Sequence, residues 1–240
     1  INSYNSNNIG LGSYWSNGGN LDKSILHNNT LHGISMYLSG NLTVSNSIFE
    51  NNSFGGIAMY SSANNILTNI TSRNNALRGI ILGGASYNNT INGSSFSENT
   101  YSIYLETTTA NPKDNKIFNC IINDTNLLYT DNENNTNKLN TSLTSATNII
   151  GGTYIGGNFW TNPAGNGYSD TCSETDYNGI CDIPYTADTN NTDLLPLTRN
   201  PIDCSNCADC TTTIANARDW DTISLTAPIT NDDGTCIDFA

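Results

Sequence analysis

The chain has 240 residues, of which 36% are apolar and only 12% charged, against a norm of roughly 25% charged; 42 asparagines and 54 serines and threonines make up the difference. Its formal charge of −13, from 21 acids against 8 Lys or Arg, excludes nucleic acid as a natural partner, because phosphate binding needs clustered basic side chains. No stretch resembles a signal peptide or an apolar run of about 18 residues, so no membrane insertion is expected in this segment.

From the N-terminus the sequence repeats itself. Gly10-Leu11-Gly12-Ser13 is followed by Gly33-Ile34-Ser35-Met36-Tyr37, Gly56-Ile57-Ala58-Met59-Tyr60, Gly79-Ile80-Ile81-Leu82 and Ser102-Ile103-Tyr104-Leu105, each 23 residues after the last. A further step of 25 reaches Leu128, so one apolar ladder reads Leu11, Ile34, Ile57, Ile80, Ile103, Leu128. A second runs Leu21, Val44, Leu67, Ile91, Ile117, and a third Leu26, Phe49, Ser72, Phe96, Ile122. Three ladders per coil are what three short strands facing one interior leave in a sequence. A helical solenoid would need about 33 or more residues per repeat and a period of 3.6. The pattern therefore predicts an all-β fold, a right-handed parallel β-helix over residues 1–155 with coils of 23 residues. Asparagine doublets, Asn28-Asn29, Asn51-Asn52 and Asn74-Asn75, mark one corner. Asn tolerates left-handed backbone, and its amide can bond the Asn stacked one coil away.

These Asn-rich coils, each carrying a Gly-Ile-x-Leu-like strand, resemble the parallel β-helix repeat family that includes the NosD-like periplasmic proteins and many archaeal surface proteins. The resemblance covers roughly residues 1–160. It continues into Gly157-Asn158-Phe159-Trp160, Asp182-Ile183-Pro184-Tyr185 and Asp193-Leu194-Leu195-Pro196-Leu197, which are similar to a segment that closes such β-helices. It implies an extracellular, cell-surface location.

Residues 156–200, rich in aromatics, Gly, Pro and Asp, are expected to cap the exposed end of the coil stack. Within them Asp176-Tyr177-Asn178-Gly179-Ile180-Cys181-Asp182 sets oxygen donors at alternate positions around a glycine. That spacing suits Ca²⁺, with Asp170, Asp176, Asn178, Asp182 and Asp193 as the candidate ligands; Asx turns without an ion are the competing account, and no other cofactor is expected. Six of the seven cysteines lie in the last 70 residues, which points to disulfides and an oxidising compartment. Cys172–Cys181 is the clearest bridge. Cys204, Cys207 and Cys210, in a linker over 201–212, and Cys236 allow three pairings, or a zinc site instead. Residues 213–240 resemble the first coil of a further β-helix.

Cys120 falls in register with Ser24, Ser47, Ile70 and Ser94, as a buried thiol would. His27, Glu50, Arg73 and Ser97 stack on one corner and read as a charge ladder. Ten Asn-x-Ser/Thr sequons, at Asn28, Asn41, Asn51, Asn69, Asn88, Asn92, Asn123, Asn134, Asn140 and Asn190, are about what the composition produces by chance; they are glycosylation candidates in an extracellular setting.

No ladder supplies a carboxylate pair beside an Arg or Lys, so catalysis is not expected. Copper would want Met, His or thiolate ligands, and two His and two Met are few. The expectation is an extracellular structural protein that assembles with copies of itself, head to tail, into a filament, sheath or S-layer. Ile1 enters the repeat as an acceptor end and residues 213–240 serve as donor. The alternative is a β-helix that binds or cleaves polysaccharide, with glycans as partners.

Overall fold

A computed structural model of the chain describes residues 2–107, 110–130, 135–176 and 178–199, together with 230–231 and 234–235. Two units separate at residue 199. The first is a parallel β-solenoid. In the second the described residues form an antiparallel pair, Thr230–Asn231 with Gly234–Thr235.

Two sheets run along the solenoid. A ten-stranded sheet takes two of the three strands of each coil, and a six-stranded sheet takes the third. In the six-stranded sheet Leu11 pairs with Ile34, Ile34 with Ile57, Ile57 with Ile80, Ile80 with Ile103 and Ile103 with Leu128. This is the first ladder, rung for rung. The second and third also hold, through Leu21–Val44–Leu67–Ile91–Ile117 and Leu26–Phe49–Ser72–Phe96–Ile122. Trp160 adds a rung that the spacing did not show, pairing with Ile122 from the strand Phe159–Thr161. These side chains form one core, with Met36 and Met59 stacked fully buried inside it.

The asparagine doublets divide their labour. The first residue of each, Asn28, Asn51 and Asn74, is exposed and takes φ between 51° and 56°, turning the corner. The second is buried and joins a file of hydrogen bonds along the solenoid. Asn29 Nδ2 donates to Asn52 Oδ1 at 2.8 Å, Asn52 to Asn75 at 2.9 Å, Asn75 to Asn99 at 3.1 Å, and Asn99 to Asp124 Oδ2 at 3.1 Å. Each Oδ1 also accepts the backbone N–H of the Asn before it. A second file at another corner runs Asn65, Asn89, Asn115, Asn137. Buried polar groups at these two corners are thus satisfied one coil to the next.

Beyond the last full coil, residues 135–199 close the end. Gly157 is followed by Asn158, whose Oδ1 accepts from Cys120 N, and by Trp160, whose ring packs on Tyr185 at 4.6 Å. Asp193 lies wholly buried beneath them. One short helix, Tyr168–Thr171, and the disulfide Cys172–Cys181, with Cα atoms 5.7 Å apart, complete the cap.

Candidate binding face

Along a strand, side chains alternate between the two faces of the sheet. In Gly55–Tyr60, Ile57 and Met59 face the core, so Ala58 and Tyr60 face outward. Pairing stacks these outward positions into two files on the six-stranded sheet. One runs Ser35, Ala58, Ile81, Tyr104, Tyr129; the other runs Tyr14, Tyr37, Tyr60, Gly83, Glu106. Ala58 and Ile81 are fully buried although they point away from the core. Larger side chains of the same face cover them.

The cover is aromatic and carries one cation. The Arg78 guanidinium lies 4.0 Å from the centre of the Tyr104 ring and 4.8 Å from that of Phe54. Tyr104 stacks on Tyr129 at 4.8 Å, nearly parallel at 23°. His32 meets Phe54 edge-on at 5.1 Å. Tyr60 lies across Gly83, with its phenol near the Glu106 carboxylate. A Cβ on Gly83 would come within 2.5 Å of the Tyr60 ring, so this rung must be glycine for the contact to form. Towards the first coil the file continues in Tyr37 and Tyr14, both exposed, with Trp15 beyond them at 75% exposure.

Burial, and Glu106 after it, raises the Tyr60 phenol above its usual range. Burial, and then the Arg78 charge, lowers His32 to about 4. His32 is therefore neutral at physiological pH. Its Nδ1 and the Nε of Arg78 are buried with no hydrogen-bond partner of good geometry.

The structure does not bring the five proposed calcium ligands together. Asp170 accepts from Thr161 Oγ1 and Gly167 N and pairs with Arg199. Asp182 accepts from Thr175, and Asn178 Oδ1 from Ile180 N, in local turns. Asp193 is committed in the interior, accepting from Asn158 N, Trp160 Nε1 and Leu195 N. Asp176 is exposed. Among the described residues no three His, Cys, Asp or Glu side chains cluster as a metal site would. Asn178 makes an Asx turn inside the Cys172–Cys181 loop, and nothing among the described residues supports calcium coordination by this set.

Of the cysteines, 172 and 181 form the expected bridge; Cys204, Cys207, Cys210 and Cys236 lie outside the described residues. Cys120 is buried, and burial pushes its thiol up to about 12. His27, Glu50, Arg73 and Ser97 do stack, with Arg73 and Glu50 paired at 2.8 Å. Among the sequons, Asn28, Asn41, Asn51, Asn69, Asn88 and Asn190 are exposed, while Asn92, Asn123 and Asn140 are partly buried. Asn134 lies outside the described residues.

The fold and this face define a class: a parallel β-solenoid with an aromatic outer sheet. The chain belongs to the NosD family, whose model, described as "Periplasmic copper-binding protein (NosD)", matches residues 2–165. That description agrees with the expected location outside the cytoplasm, and among the described residues no helix is long and apolar enough to cross a membrane. No curated protein and no solved structure matches the chain.

The family description raises copper, and the soft donors among the described residues do not fit it. Met36 and Met59 are stacked, but they lie at zero exposure among Ile and Leu side chains. Cys120 is held as a thiol in another column of the core, and His32 faces outward behind Phe54. Copper would need several of these to converge at one point, and the coil register keeps them apart.

Proposed function

We propose that the protein is an extracellular, structural β-solenoid that holds glycan on the outer face of its six-stranded sheet. The observation that carries this reading is the aromatic cover around Arg78, with Tyr104 and Tyr129 stacked and Tyr60 lying across Gly83. Flat rings with polar rims suit sugars, whose C–H faces lie on aromatic surface while their hydroxyls reach polar groups. Coils repeat at about 4.8 Å along the sheet, so an extended glycan laid along the solenoid would meet a new rung roughly once per sugar.

Binding fits this face better than cleavage. Glycoside hydrolysis places two carboxyl groups on either side of the scissile bond, roughly 5–9.5 Å apart. Here Glu106 is the one carboxylate in the outward files of the six strands, and Arg78 with its rings occupies the adjoining surface. A panel of immobilised polysaccharides probed with the full chain tests the proposal. Retention on at least one, lost in Tyr104→Ala, is the expected result; no retention on any would refute it.

Self-assembly into a filament, sheath or S-layer is the second part of the proposal. Parallel coils stack through backbone pairing alone, so a coil supplied by another copy finds a ready ladder. The support for it is the sequence of residues 213–240, which resembles an opening coil. Negative-stain images of the full chain should show ordered polymers, and deletion of residues 213–240 should leave single particles. Polymers formed by the truncated chain would contradict it.

A further inference from the structure

Arg78 narrows the kind of glycan this face takes, an inference that rests on the glycan reading above. Among the six strands of the sheet it is the only Lys or Arg. No carboxylate among the described residues pairs with it, although Arg73 and Arg199 each have one. Glu106, the acid on the same face, lies near the Tyr60 phenol. Both ring contacts hold the guanidinium in place, and its Nε is buried without a partner. A partly buried cation with no carboxylate partner gains from an anion that completes it. Because the flanking rings orient the guanidinium plane, its outer edge presents parallel N–H donors, the geometry that matches a carboxylate.

We infer that the face binds an acidic glycan, with a uronic-acid carboxylate on Arg78 and the adjoining sugar ring against Tyr104 and Tyr129. His32 is neutral and adds no second cation, so the charge that selects the acid is carried by one residue. The chain's net charge of −13 opposes an anionic polymer at long range. At physiological salt that repulsion is screened beyond about 8 Å, whereas the contact at Arg78 is direct.

The test is titration calorimetry of the full chain, at physiological salt, with an oligogalacturonate and with the same oligomer after its carboxyl groups have been reduced to alcohols. A charge-assisted contact predicts that the acid form binds at least about 10-fold more tightly. Arg78→Gln should abolish that preference, Arg78→Lys should restore part of it, and Arg73→Gln, on another corner, should leave it unchanged. Thermal melting of each variant confirms the fold, and the comparison of the two oligomers on the unaltered chain stands even if Arg78→Gln fails to fold. Equal binding of both oligomers, or an unchanged preference in a folded Arg78→Gln, overturns the acidic-glycan inference and leaves the glycan reading standing. Binding of neither oligomer, together with no retention on the polysaccharide panel, overturns both.

Discussion

Asp124 ends the buried file of asparagines by offering Asn99 two acceptors: Oδ1 takes the Asn99 backbone N–H at 2.7 Å and Oδ2 takes its side-chain amide at 3.1 Å. The file has a direction, since every amide donates to the coil ahead. Whatever stands last must accept without needing a further acceptor of its own, and a carboxylate does this. The other files finish in the same way. Asn191 follows Asn137 and donates to Asp188, and Asn158 donates its backbone N–H to Asp193.

Replacing Asp124 with alanine should therefore be costly. Asn99 N–H, Asn99 Nδ2 and the Ser102 hydroxyl would all lose an acceptor in a buried place. At about 1–3 kcal/mol for each buried group left unmade, with some relaxation, the loss should be about 2–4 kcal/mol. Asp124→Asn should recover most of it, because an amide oxygen serves both Asn99 donors everywhere else in the file. Denaturant unfolding of the two variants checks this; equal losses would show that the carboxylate does more than end the file.

Gly157 and Asp193 should be coupled. A Cβ on Gly157 would overlap the Asp193 carboxylate, which itself holds Trp160 Nε1 at 2.8 Å and Asn158 N at 2.7 Å. Gly157→Ala should cost about 2–3 kcal/mol through overpacking. Combined with Asp193→Ala the clash disappears, so the two losses should fall short of additivity by about 1–3 kcal/mol. Strict additivity in a double-mutant cycle would mean that the two positions act independently.

Burial pushes the Asp193 carboxyl up to about 6, against the pull of its N–H donors, whereas in the unfolded chain it titrates near 3.9. The folded state therefore holds the proton more tightly. The resulting stability is complete below about pH 4 and is lost as pH rises through about 6. Burial moves Asp124 in the same direction. The Asp193 contribution is on the order of 3 kcal/mol. Melting temperatures at about pH 4.5 and 7.5 should thus be higher on the acid side, and Asp193→Asn, though less stable throughout, should show a flatter dependence. An identical slope in the variant would place the titration elsewhere.

The core was legible because each coil repeats the same demand. Ile34, Ile57, Ile80 and Ile103 all face one interior, so their spacing survives in the sequence. The outward face has no such constraint. Its files change from Ser35 to Ala58, Ile81 and Tyr104, and from Tyr60 to Gly83 and Glu106, which hides them from a search for repetition. Stepping three residues on from the inward ladder, to the opposite face, would have exposed Tyr14, Tyr37 and Tyr60 at the same 23-residue step. Asp193 misled for a different reason. Its hydrogen-bond partners lie 33 and 35 residues away, beyond the reach of the local spacing that suggested a cation loop with Asp176 and Asp182.

Hydroxyl-radical footprinting of the full chain, with and without a bound acidic oligosaccharide, tests the functional account most directly. Protection should concentrate on Tyr104, Tyr129 and Tyr37, which share the outer sheet face, and spare Tyr87, which is exposed but pairs outside that sheet. Protection of Tyr87 with no change at Tyr104 and Tyr129 would move the binding surface elsewhere and contradict the account.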